Sequence, residues 1–322
     1  MALWTEIVSP DELTAFSRTA QEALDTSVLA GILPNLYQGE VRFSWRVNQT
    51  ANDLAEYGEF DTEAPIGEGA RSEEKMVRLL PVSRKVRLSE YEQVTDPDRV
   101  RQLADDKAES VVRFVINRLN LARGEALVDG GLALNENGLV QNVDFGRAAG
   151  QTLATPTTAW GAASADPVED LRTWADTIAD ATGVMPTQLI VSSRIARVVA
   201  GVLADAGYVN SGVAVSRTVV DEVLASFDLP TLTVFDGRVG GQRIIPDDVA
   251  LLAPAAGEAG ATVFAPTVES QDPRFNLGVG DRSGIVSGLY REDDPPMGWV
   301  LGKAVALPIL ANPDTTLSAK VL

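Results

Sequence analysis

Arg118-Leu-Asn-Leu-Ala-Arg-Gly-Glu-Ala-Leu-Val-Asp-Gly130-Gly131, followed by the turn Asn137-Gly138 and by Val143-Asp-Phe-Gly-Arg147, reads as the end of a helix, a hairpin and the strand that leaves it. Upstream, Val100, Ala104, Ala108, Val111, Val115, Leu119, Ala122 and Ala126 recur at steps of three and four, which predicts a helix over 98–129 with one apolar stripe. Asp96-Pro97 supplies a start, and Gly130-Gly131 supplies the stop. At 1.5 Å per residue such a helix is about 45–50 Å long, enough to cross a domain as its spine. Gly124 leaves open a second reading, two shorter helices with a break there. Asn137-Gly138 is a two-residue hairpin turn.

Toward the N-terminus, Val41, Phe43, Trp45 and Val47 alternate with Arg42, Ser44 and Arg46, the pattern of a half-buried strand. The stretch 49–75 then carries Asp53, Glu56, Glu59, Asp61, Glu63, Glu68, Glu73 and Glu74 with too few apolar residues for a core. Val77, Leu79, Val82, Val86 and Leu88 follow, among Arg78, Arg84, Lys85 and Arg87 and around Pro81. Two strands joined by a long projecting loop is the simplest geometry. Residues 1–39 read as an arm with one helix from Ser9-Pro10-Asp11-Glu12, its stripe being Leu13, Phe16, Ala20 and Leu24. So small a stripe is marginal alone and must pack on the body or on a neighbour.

Toward the C-terminus, 147–164 reads as a connector and Asp166-Pro167 opens a helix that stops at Gly183. Strands are predicted at 187–191, 231–235, 249–253, 262–265 and 298–308, and helices at 193–203 and 216–226. Residues 277–288 read as a glycine-rich loop, and 291–296 as a charged break. The fold class is α+β.

The 322 residues hold no Cys and no His, which removes thiolate and imidazole chemistry. Gly302-Lys303-Ala304 lacks the hydroxyl and glycine spacing of a phosphate loop, and 278–284 has one residue too many for a dinucleotide fingerprint. Lys303 as a catalytic base, and the acidic groups Asp105-Asp106, Asp221-Glu222, Asp247-Asp248 and Glu292-Asp293-Asp294, are better explained as strand-surface and solvated charges. No catalytic, cofactor or metal site is expected. The N-terminal residues lack the pattern of a signal peptide and no apolar run spans a bilayer, so a soluble chain of a reducing compartment is expected. With 27 Lys and Arg against 45 Asp and Glu, the formal net charge of −18 disfavours tight binding to DNA or to an anionic membrane. The marginal arm, the acidic loop and the basic strands instead suggest contact between molecules, with Arg42, Trp45, Arg46, Arg78, Arg84, Lys85 and Arg87 as suspected inter-subunit residues.

In this order, the features resemble the lambda-like tailed-bacteriophage major capsid proteins of the Hong Kong 97-type fold. The resemblance is sharpest at 118–130, the hairpin, Val143-Asp-Phe-Gly-Arg147, Trp160 and Trp174. It implies an N-terminal arm (1–40), an extended loop with its strands (41–92), a peripheral domain with the spine helix (93–186), an axial domain (187–297) and a return to the peripheral domain (298–322). It also implies a structural protein of the virion, assembled in the host cytoplasm. Pentamers and hexamers of it would form an icosahedral shell around double-stranded DNA. The implied partners are other copies of itself, a separate scaffolding protein, a portal, in some relatives a decoration protein, and the packaged DNA by weak contact. A nanocompartment shell of the encapsulin type is the alternative within this fold, and a soluble enzyme with a carboxylate site the alternative outside it.

Overall fold

A computed structural model describes residues 2–48, 72–95, 99–162, 164–208, 216–294 and 296–322. The predicted spine is one unbroken helix, α4 (Val100–Asp129), preceded by the short helix α3 (Glu90–Thr95), and all eight residues of the predicted stripe of α4 are buried. The expected cap Asp96-Pro97 lies outside the described residues. Gly124 does not break the helix; it admits a neighbour. A Cβ there would stand 2.7 Å from the Ile244 carbonyl oxygen and 2.5 Å from its Cγ2. The two readings of Gly124 differ in sign. If it were only a weak point, Gly124→Ala would add about 1 kcal/mol of helix propensity. Because the new methyl meets backbone, overpacking of about 1–3 kcal/mol outweighs that gain. Urea denaturation of Gly124→Ala is therefore expected to show a lower midpoint than the parent chain.

The end of α4 explains the quoted sequence. Gly130 takes the left-handed conformation (φ 68°) that closes the helix. The chain then forms the hairpin of β6 (Gly131–Glu136) and β7 (Leu139–Asp144), turning at Asn137 and Gly138, both at positive φ. Phe145 enters the core, Gly146 turns, and Arg147 comes back under the helix end. Its guanidinium donates to the carbonyls of Leu127 and Val128, both at 2.7 Å, which α4 leaves without helical partners. Burial pushes Arg147 down to about 10, so it stays charged at neutral pH.

A six-stranded sheet lies under the spine. Its longest strand, β15 (Pro296–Leu310), pairs with β14 (Val286–Asp293), β13 (Gly260–Ala265) and β5 (Pro81–Leu88). β1 (Ala2–Leu3) adds to β14, and β2 (Asn35–Tyr37) adds parallel to β13. Gly302 permits close helix-to-sheet approach, since a Cβ there would be 2.4 Å from Val111 Cγ1. A second sheet, β16 (Leu317–Lys320), β12 (Val249–Ala253), β8 (Gln188–Val191) and β9 (Thr231–Val234), is covered by α5 (Pro167–Thr182), α6 (Ser193–Asp205) and α7 (Arg217–Ser226). β13 and β14 pair with β15 while β16 pairs with β12, so each sheet draws on strands from both sides of residue 297. A small hairpin, β10 (Arg238–Val239) and β11 (Gln242–Arg243), precedes Ile244.

Three expectations need correction. The predicted charged break at 291–296 lies largely within strands, as Arg291–Asp293 end β14 and Pro296 begins β15. Of the predicted stem, β4 (Ser72–Arg78) pairs with β3 (Arg42–Asn48), whereas β5 joins the central sheet; Leu79 and Leu80 are buried between them and Pro81 starts the new strand. The loop from 49 to 71 lies outside the described residues. Helix α1 (Pro10–Leu24) begins where predicted, but it buries Pro10, Leu13, Thr14, Ser17 and Gln21 and exposes Phe16. Polar residues go inside because β14 answers them: Ser17 and Ser287 hydroxyls are 2.7 Å apart, and Thr14 Oγ1 donates to the Ser287 carbonyl at 3.0 Å. The arm therefore packs on its own body, continuing through α2 (Val28–Ile32) into β2.

Candidate assembly surface

The β3/β4 ladder sets Arg42 opposite Arg78, Ser44 opposite Met76 and Arg46 opposite Glu74. Paired residues of an antiparallel ladder share a face, so these six form one face, and all of them are exposed. The other face carries Phe43, Trp45, Lys75 and Val77 toward the body. Trp45, grouped above with the suspected inter-subunit residues, faces the body of its own chain. It is 7% exposed, stacks with Phe43 at 6.3 Å and tilts onto Phe145 at 6.0 Å, so its area is spent inside its own chain. Arg42 and Arg46, at odd separations from it along the strand, lie on the opposite face and keep the solvent side.

Arg84, Lys85 and Arg87 belong to β5 and are not brought together with the hairpin arginines in one ladder. Lys85 lies over the Trp299 ring at 4.4 Å, and the Trp299 indole donates to Glu292 at 3.0 Å. Arg87 reaches the Met297 sulfur at 3.8 Å. Arg84 points to the opposite side of β5, where it lines a cavity of about 510 Å³ with Phe114, Arg118, Leu119 and Leu139.

The chemistry considered and rejected from sequence finds ordinary partners. The Lys303 amine pairs with Glu269 at 2.8 Å, Asp247 with Arg194 at 3.5 Å, Asp248 with Lys320 at 3.3 Å, and Asp221 accepts from the Leu232 amide at 2.9 Å. Among the described residues no group of three or more Asp, Glu, His or Cys is placed to hold a metal ion, and no helix is long and apolar enough to cross a membrane.

Sequence reasoning missed a buried clasp. Arg123 is 0% exposed and uses all five of its donors: Nε to Thr262 Oγ1 (2.8 Å), one terminal nitrogen to Asp25 Oδ1 (2.6 Å) and Asn120 Oδ1 (2.9 Å), the other to Asp25 Oδ2 (2.9 Å) and Asn35 Oδ1 (2.8 Å). Arm, spine and central sheet meet in it. The signal was available, because Arg123 is four residues after Leu119 and so shares the apolar sector of α4, where a charge requires a partner.

Comparison with known proteins agrees with this architecture. The putative capsid protein of a prophage of E. coli CFT073 superposes with a TM-score of 0.66 at 14% identity, covering 98% of this chain and 99% of that one. A phage-related protein from Bordetella bronchiseptica RB50 gives 0.58 at 12% identity, covering 97% of each chain. A virus-like particle from Pyrococcus furiosus gives 0.51 at 11%, covering 95% and 97%. At these identities the likeness shows a shared α+β capsid fold. No curated protein matches. The sequence profile described as Phage major capsid protein E matches residues 79–321, from the end of the hairpin through the spine helix and both sheets, and by that match over three quarters of its length the chain belongs to the phage major capsid protein E family.

Proposed function

We propose that this protein is the subunit of a closed icosahedral shell that encloses double-stranded phage DNA, built from pentamers and hexamers of the chain. The observation that carries the reading is the family match across 79–321 together with a fold shared end to end with a prophage capsid protein. As a capsid protein it is structural and turns over no substrate. In this reading 1–40 is the N-terminal arm, 41–92 the extended loop and its strands, 93–186 the peripheral domain on the spine, 187–297 the axial domain whose copies meet around the five- and six-fold axes, and 298–322 the return segment. Scaffolding is supplied by a separate protein, a portal occupies one vertex, and the shell forms in the host cytoplasm and ends in the virion. Exposed basic residues on β3, β4 and β5 contribute to contacts between subunits. The net charge of −18 suits a wall that must release its content, since tight phosphate binding would hold DNA during packaging and ejection.

The test is the content of particles purified from a producing host. DNA that survives nuclease outside the shell and is freed by disrupting it is the expected result. Particles filled with a protein cargo and no DNA would instead assign a nanocompartment.

A further inference from the structure

Arg42 and Arg78 stand directly opposite each other, and like charges in that position destabilise an antiparallel pair. Arg46 lies on the same face. Among the described residues none of these three side chains forms an ion pair, although Glu74 faces Arg46 in the ladder. Met76, 64% exposed, sits between them. The hairpin thus presents a self-repelling basic face with an apolar centre. A phosphate backbone would use the charge but leave the methionine idle; a protein surface uses both.

The second sheet's cover carries the opposite arrangement. On α5, Asp176 and Asp180 are exposed and four residues apart, so they repel each other. They lie toward the C-terminal end, where the helix dipole is negative and the last turn has no basic residue. Neither forms an ion pair among the described residues; on the same face, Thr173 and Thr177 direct their hydroxyls to the carbonyls of Glu169 and Thr173. Cβ atoms four apart on a helix are about 5–6 Å apart. Directly opposed residues on a hairpin are separated by about 4.5–5.5 Å. The two like-charge pairs are therefore similar in spacing and opposite in sign.

We propose that the Arg42/Arg78 face of one copy docks on the Asp176/Asp180 face of a second copy. The inference rests on the shell reading and names one contact within it. Because the two faces differ, the contact is heterologous: each copy offers both halves, and repetition builds a ring where its rotation closes, as the five- and six-fold rings of the shell reading require.

The test compares full-length wild type with Arg42→Glu/Arg78→Glu, with Asp176→Arg/Asp180→Arg, and with the quadruple variant that exchanges both pairs. Sedimentation velocity in low and high salt reads association, and electron microscopy of the same samples reads shells. Circular dichroism confirms folding, which substitutions at exposed positions leave intact. Each double variant is expected to associate at least roughly 100-fold more weakly, as like charges are then set against each other, and the quadruple variant is expected to recover. Wild-type association should weaken in high salt. Wild-type shells with unaffected double variants, or a folded quadruple variant that fails to recover, would overturn the contact and leave the shell reading standing. Double variants that form shells normally but lose DNA would reassign the basic face to nucleic acid and overturn the contact. A wild type that forms no shell or ring in any condition would overturn the shell reading, and the contact with it.

Discussion

Asp25→Ala is expected to destabilise the subunit by about 3–5 kcal/mol, a large part of the stability of an ordinary domain. The Asp25 side chain is 3% exposed, and its two oxygens receive two of the five donors of the fully buried Arg123. Removing the carboxylate leaves a guanidinium in the interior facing only the amide oxygens of Asn35 and Asn120 and the hydroxyl of Thr262. The cost comes from stranding a charge, which separates it from the net worth of the pair. Replacing both partners, as in Asp25→Leu with Arg123→Met, is expected to recover most of the loss, since neither charge is then buried. Urea denaturation of the three chains checks this. An Asp25→Ala unfolding free energy within about 1 kcal/mol of the parent's would show that water reaches the clasp and that the arm is held by its apolar contacts alone.

Trp160→Ala is expected to cost about 3–5 kcal/mol, by a different route. Trp160 is 0% exposed and lies in the core under the second sheet, its ring stacked on Trp174 with centroids 5.9 Å apart. Its indole nitrogen donates to Asp170 Oδ2 at 2.9 Å, and the other oxygen of Asp170 accepts from the Thr157 amide at 3.0 Å. Alanine opens a cavity and strands half of a buried carboxylate. Trp160→Phe separates the two effects: it keeps much of the volume and loses the donor, so about 1–3 kcal/mol of the loss remains. Thermal denaturation of the two variants gives the ratio. A Phe variant as stable as the parent would mean that Asp170 finds another donor.

These two sites show why some of the fold was legible and some was not. The spine helix could be read because its period is carried by eight apolar residues from Val100 to Ala126, and the hairpin because Asn137-Gly138 supplies the positive φ that its turn requires. The helix at Asp166-Pro167 could be read because its cap is local: Asp166 accepts from the amides of Val168 and Glu169, and Gly183 ends the helix in the left-handed region. What was misread depends on partners distant in the chain. The buried face of α1 includes Thr14 and Ser17 only because Ser287, some 270 residues later, answers them, so hydrophobic periodicity pointed to Phe16, which is exposed. At Gly124 the one-helix reading holds; propensity registers only the missing side chain and so leaves a break open as a second reading, while the residue's use is the close approach of Ile244.

The basic strands show the same division. Alternation along 41–47 puts Arg42 and Arg46 outward, as found, whereas the contact of Trp45 with its own chain needs knowledge of Phe145, about 100 residues later, onto which its ring tilts. Arg84, Lys85 and Arg87 were grouped with the loop because they follow it closely in sequence. Pairing of β5 with β15 moves them to the central sheet, and no local signal in 79–81 beyond Pro81 announces that change of partner.

The central claim is that the chain builds a shell. Electron microscopy of the purified full-length protein, expressed with and without the proposed separate scaffolding protein and accompanied by light-scattering mass, tests it most directly. The account predicts closed polyhedra, or rings of five and six subunits, with masses that are multiples of the subunit. A uniform monomer or dimer under both conditions would contradict it.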